Sequence, residues 1–140
     1  MKTFSVLLLI ALLSALTSFA EPSPSLAPNL RCFEMRTYHT APGRLEALHA
    51  RFRNHTNKLF VKHGMQLVGY WVPMDKDGKY ENKLVYILAF PSREARDKSF
   101  KEFGKDPEWI KVRDESEKDG KIVEKVDSVF MTATDYSSIK

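Results

Sequence analysis

The residues best suited to chemistry stand on one short stretch, Phe33-Glu34-Met35-Arg36-Thr37-Tyr38. Strand alternation puts Glu34, Arg36 and Tyr38 on one face, with successive side chains about 7 Å apart by strand rise. Arg36 could hold an anionic or carbonyl group while Glu34 or Tyr38 handles a proton. The competing role is a buried ion-pair network that fixes register in a barrel or between subunits. We favour the network, because a symmetric interior needs its polar groups paired.

Three of the four histidines, His49, His55 and His63, fall on one predicted helix at spacings of six and eight. None forms the i, i+4 pair typical of helical metal sites, so no metal is expected. On a regular helix of about 100° per residue, His49 and His63 share the apolar face and His55 sits at its edge. His63 suits the helix C-terminus as a cation, whereas His49, nearer the helix start and facing the sheet, is the better pocket candidate. Tyr70, Trp71 and Tyr86 on the middle strands could line an aromatic cavity. The candidate ligand-pocket set is therefore His49, Arg36, Glu34, Tyr38, Trp71 and Tyr86. The chain has no phosphate-cradling glycine loop, dinucleotide fingerprint or nucleophile elbow, and no catalytic set or cofactor is expected.

The elements that must position these residues follow from periodicity and punctuation. Residues 1–20 read as a cleaved signal peptide: Lys2 precedes the apolar run Phe4 to Leu16, and Ser18-Phe19-Ala20 supplies the small residues of a cleavage site. That run is thirteen residues long, against about 20 for a membrane span, so no stable membrane anchor is expected after cleavage. The destination is periplasmic or extracellular. Residues 21–30 form a Pro- and Ser-rich leader that can build neither ladder nor helix.

Of 140 residues, 120 then remain, enough for one core and too few for two. Lysine and arginine are interleaved with acids over Arg93 to Lys125, a solvated surface rather than a nucleic-acid stripe. One cysteine cannot form an internal disulfide, so Cys32 is read as a small buried apolar side chain, with an inter-subunit bridge as the minority reading.

The first strand is expected over about 31–39, then a helix from Pro42-Gly43 to about His63 with Gly64 as its stop. Strand two spans Gln66 to Met74, with a turn in Asp75 to Gly78. Strand three, about Asn82 to Phe90, is the most apolar segment and is placed centrally. Ser92 caps the next helix, Gly104 interrupts it, and Asp106-Pro107 starts a third. Strand four covers about 121–134, with Ile122, Val126 and Phe130 spaced by fours inside an alternating pattern, and 135–140 is a tail without a core signal. The order strand, helix, strand, strand, helix, strand is the ferredoxin-like β-α-β-β-α-β arrangement, an α+β fold with a four-stranded antiparallel sheet. Helices cover one sheet face, and the other face is apolar enough to call for a second copy.

Phe33 to Tyr38, Pro42-Gly43-Arg44-Leu45, His63-Gly64, Leu67 to Trp71 and Asp106-Pro107-Glu108-Trp109, in that order and spacing, resemble the NIPSNAP domain. The resemblance covers about Cys32 to Ala133 and gives the assignment of 31–134 as a NIPSNAP-like domain. It implies a dimeric α/β barrel, hence a homodimer, and leaves molecular function open, since animal members are described mainly as mitochondrial proteins. The leader and short length set this chain apart as a bacterial-style exported version. The wider superfamily includes cofactor-free monooxygenases whose pockets lie between helices and sheet. The expected role is a small-ligand or protein-partner module, with a small oxygenase or isomerase as the alternative.

Overall fold

The computed structural model describes residues 31–75, 78 and 80–140; the expected signal peptide and leader lie outside them. The chain runs β1 (Cys32–Thr40), α1 (Leu45–Arg51), a π turn (Phe52–Thr56), α2 (Asn57–Lys62), β2 (Gln66–Trp71), β3 (Lys83–Phe90), α3 (Arg93–Lys105), α4 (Pro107–Ser116) and β4 (Val123–Met131). The strands pair antiparallel in the order β2-β3-β1-β4, the ferredoxin-like arrangement, with β3 and β1 central.

Register assigns the two faces. Cys32, Glu34, Arg36 and Tyr38 stand opposite Phe90, Leu88, Tyr86 and Leu84. This is the face under the helices, where Leu48, Phe52, Leu59, Phe60 and Phe103 complete the core. Burying a large apolar side chain stabilises by about 1.5–3 kcal/mol, so this layer dominates the fold. Phe33, Met35 and Thr37 face the other way, beside Ala89, Ile87 and Val85.

The first helix departs from the regular one expected. At its centre the Asn57 N–H bonds back to the Phe52 carbonyl, a five-residue step in place of four. Thr56 Oγ1 reaches the Arg51 carbonyl at 3.3 Å. The extra residue changes which side chains point inward: Leu48, Phe52, Thr56 and Phe60 are all buried, a row in fours. On a regular helix such a row drifts by about 40° per step, and the wide turn takes that drift back.

Punctuation residues act locally. Gly64, at φ +78, lets the Met65 N–H close on the Phe60 carbonyl at 3.0 Å and ends α2. Ser92 accepts the Ala95 N–H at 3.1 Å, and Asp106 accepts the Glu108 N–H at 2.8 Å ahead of Pro107. Gly104 does not interrupt α3, which continues to Lys105. The break falls at Asp106, held extended because a residue before proline is pushed out of the helical region.

The strands are shorter than expected. β2 stops at Trp71, ahead of Pro73, and β4 covers Val123–Met131. Ile122 is fully buried, but Val126 and Phe130 remain about two-fifths exposed on the edge strand. The segment after β4 folds back: Thr132, Ala133, Thr134, Ser137 and Ile139 close an apolar recess of about 280 Å3 against Phe33, Val68 and Ile87. Arg31 ties it down by bonding both Gln66 and the Lys140 carbonyl.

Candidate functional site

Two polar regions occupy the layer between helices and sheet. The first surrounds Glu34, whose side chain has no exposed surface. Its Oε1 accepts from Arg36 Nη1 (2.6 Å), Arg96 Nη2 (2.6 Å) and Ser128 Oγ (2.8 Å), and its Oε2 accepts from Arg96 Nε (2.7 Å). Arg36 Nε also donates to the Tyr86 hydroxyl at 2.9 Å. Phe100 stacks against both guanidinium groups, at 4.7 Å from Arg36 and 4.4 Å from Arg96. Burial by itself would raise the Glu34 pKa, but the Arg96 hydrogen bonds and the Arg36 charge, aided by Ser128, hold it below its ordinary value. These partners belong to one chain, β1 to α3 and β4. The network expected across a barrel or between subunits is instead internal and lies under the helices.

The second region is an open cleft of about 240 Å3 where the first helix crosses the end of β2 and β3. His49, Phe52, Arg53, Asn57, Tyr70, Trp71, Val72 and Leu84 line it. Here the π turn has its effect, because His49, Arg53 and Asn57 also stand at fours and face the cleft together. A bulge in β2 between Leu67 and Gly69 shifts the alternation. It turns Tyr70 toward the helices, stacked on Tyr86 with centroids 5.5 Å apart and edge-on to Phe52 at 5.5 Å.

Two polar atoms of this cleft, Asn57 Oδ1 and the Tyr70 hydroxyl, are buried without a hydrogen-bond partner. Burial, followed by the neighbouring Tyr38, pushes the Tyr70 pKa up, so the phenol keeps its proton. The Arg53 charge is met by Glu46 at 3.0 Å.

The six sequence candidates thus separate. His49 lines the cleft, and Trp71 borders it at the end of β2 while its ring turns to the sheet face away from the helices. The Trp71 ring lies across Gly69, where an added Cβ would meet it at 2.6 Å, and it stays half-exposed. Tyr86 is fully buried beneath the cleft, and burial raises its pKa far above the ordinary phenol value. Glu34 and Arg36 form the sealed network. Tyr38 packs edge-on to Tyr86 (5.2 Å) and Phe52 (6.0 Å). Sequence reasoning missed Asn57, whose signal was its four-residue spacing from Arg53 and His49. It grouped Tyr70 with Trp71 and Tyr86, although the bulge separates Tyr70 from Trp71.

The other histidines take structural positions. His63 sits at the end of α2 and bonds Asp106 at 2.7 Å, and His39 bonds Asp127 at 2.8 Å. His55 lies in a groove toward α4, away from the cleft. Cys32 is buried, and burial raises its thiol pKa. Among the described residues no three His, Cys, Asp or Glu side chains come together as a metal site, and no helix is long and apolar enough to cross a membrane.

Comparison with curated proteins finds no matching relative. Among solved structures, the chain is similar to an uncharacterised NIPSNAP-like domain protein from Burkholderia xenovorans: TM-score 0.68, 15% identity, 78% of this chain and 90% of that one. It is equally similar to a NIPSNAP family protein of unknown function from Agrobacterium tumefaciens (0.68, 22%, 80% and 96%). A more distant likeness joins it to a proposed antibiotic biosynthesis monooxygenase from Nitrosomonas europaea (0.51, 11%, 80% and 98%). At these identities the similarities establish the fold. The family assignment comes from the NIPSNAP sequence profile, which matches residues 33–138, and on that match the chain belongs to the NIPSNAP family.

Proposed function

We propose that this protein is an exported, homodimeric NIPSNAP domain that binds a small organic ligand in the cleft between its first helix and the sheet. The observation carrying the ligand reading is the pair of buried, unpartnered polar atoms, Asn57 Oδ1 and Tyr70 OH, beside open volume. Buried polar groups almost always find partners, and each one left unmet costs about 1–3 kcal/mol. A cleft that leaves two unmet is built for something that meets them. Native mass spectrometry of protein purified from its own compartment tests this. A bound organic mass, lost in Asn57→Leu, is expected; a bare polypeptide mass from every preparation would sink the reading.

The homodimer is supported by the sheet face without helices, where Trp71 and Val129 are half-exposed on the side that also carries Met35 and Val85. A second copy offers the same apolar surface to it. Sedimentation at micromolar concentration should give twice the chain mass, and a monomer there would overturn it. Export rests on the leader, and N-terminal sequencing of the exported protein should begin at Glu21.

A second reading, a small oxygenase or isomerase that uses no cofactor, is favoured by His49. An imidazole at the cleft, near a phenol that retains its proton, is the kind of acid–base pair such a reaction uses. His49→Gln that still binds ligand but loses turnover would favour it.

A further inference from the structure

We infer that the occupant of the cleft is a small uncharged aromatic molecule with a hydroxyl or carbonyl group, held by hydrogen bonds to Asn57 and Tyr70. The inference rests on the cleft being the ligand site and adds the chemical class of the ligand.

Size is the first argument. About 240 Å3 falls below the roughly 300–1,000 Å3 of clefts that take drug-sized molecules and above the roughly 150 Å3 of a cavity that holds benzene, so a small aromatic molecule fits. The wall is the second. Phe52 and Tyr70 meet at 66° with Leu84 beside them, which offers a flat ring both an aromatic edge and an aromatic face.

Polarity is the third argument. The Tyr70 hydroxyl has a proton and no acceptor for it. The Asn57 amide, whose Oδ1 is out of water and unpartnered, offers an acceptor and donors from one side chain. A ligand that presents an acceptor and a donor close together, such as a ring carboxamide or a ring hydroxyl, satisfies both residues. Charge is the fourth. The fixed cation of the lining, Arg53, is already paired with Glu46, and no carboxylate lines the cleft, so neither an anion nor a cation finds an unpaired fixed counter-charge.

The test uses the full chain and four probes, benzamide, phenol, benzoate and toluene, titrated by ligand-observed saturation-transfer NMR. Benzamide or phenol should bind at least tenfold more tightly than toluene and benzoate. Tyr70→Phe, which removes one oxygen, and Asn57→Leu should each weaken that binding at least tenfold while thermal melts show both variants folded. Toluene binding as tightly as benzamide, with Tyr70→Phe indifferent, overturns the polar readout while leaving the cleft a ligand site. Benzoate as the tightest probe overturns the uncharged class. Silence from all four probes overturns this inference. Native mass spectrometry then separates the two failures, because a bound mass of another class keeps the cleft as a site and an empty protein removes it.

Discussion

The Glu34 network and the Asn57–Tyr70 cleft lie in the same helix–sheet layer and are both polar, yet they are opposites. Around Glu34 every carboxylate oxygen is met, two guanidinium groups and a serine converge on it, and a phenylalanine seals the cations. In the cleft an amide and a phenol stand without partners beside empty space. The lesson is that a row of charged residues on a strand does not mark a site, because a closed network leaves nothing to offer a ligand. The proposed site rests instead on unmet hydrogen-bonding capacity next to open volume.

The contrast can be broken by mutation. Glu34→Ala should have the largest effect: it strands Arg36 and Arg96 in the interior and should cost about 3–5 kcal/mol in urea unfolding, while ligand binding per folded molecule persists. Replacing Glu34, Arg36 and Arg96 together by Met should recover much of that loss, since removing a whole buried ion network is often neutral. Acid should act on the same region. The folded Glu34 pKa lies below its ordinary 4.5, so its contribution is complete above about pH 4.5 and fades as pH falls through the depressed folded value. Urea midpoints from pH 6 to pH 3 should therefore fall less steeply in Glu34→Gln than in the native chain.

Tyr70→Phe should show the reverse pattern. It deletes an unmet hydroxyl, so stability should stay within about 1 kcal/mol or rise, while ligand binding is lost. If it destabilised the fold as Glu34→Ala does, the two regions would not differ in kind. The smallest effect is expected from Gly69→Ala. Its Cβ meets only the far end of the Trp71 ring, which is half-exposed and can swing away, so tryptophan fluorescence should shift with a stability change below about 1 kcal/mol.

Much of the fold was legible because punctuation is local. Ser92, Asp106-Pro107 and Gly64 act through their own backbone neighbours, so sequence places them without tertiary information. The alternation of β1 correctly separated Glu34, Arg36 and Tyr38 from Phe33, Met35 and Thr37. It could not say which face the helices cover, because strand period is the same either way. That choice decided whether the polar row met a second subunit or α3. The cleft was harder to read, since it depends on two departures from ideal periods: the π turn in the first helix and the bulge in β2. Each shifts the phase of everything beyond it by one residue. A regular wheel therefore placed His49 well, N-terminal to the shift, and gave no reason to choose Asn57 beyond it.

The π turn also divides responsibility along the helix. One extra residue offsets the rotational setting of α1 from that of α2, so Leu48 and Phe52 on one side of the offset and Phe60 on the other all face the core. Deleting one residue within the turn would restore constant pitch and swing His49, together with Leu48 and Phe52, by about 100° relative to Phe60, so the cleft wall and the core beneath it would be lost together.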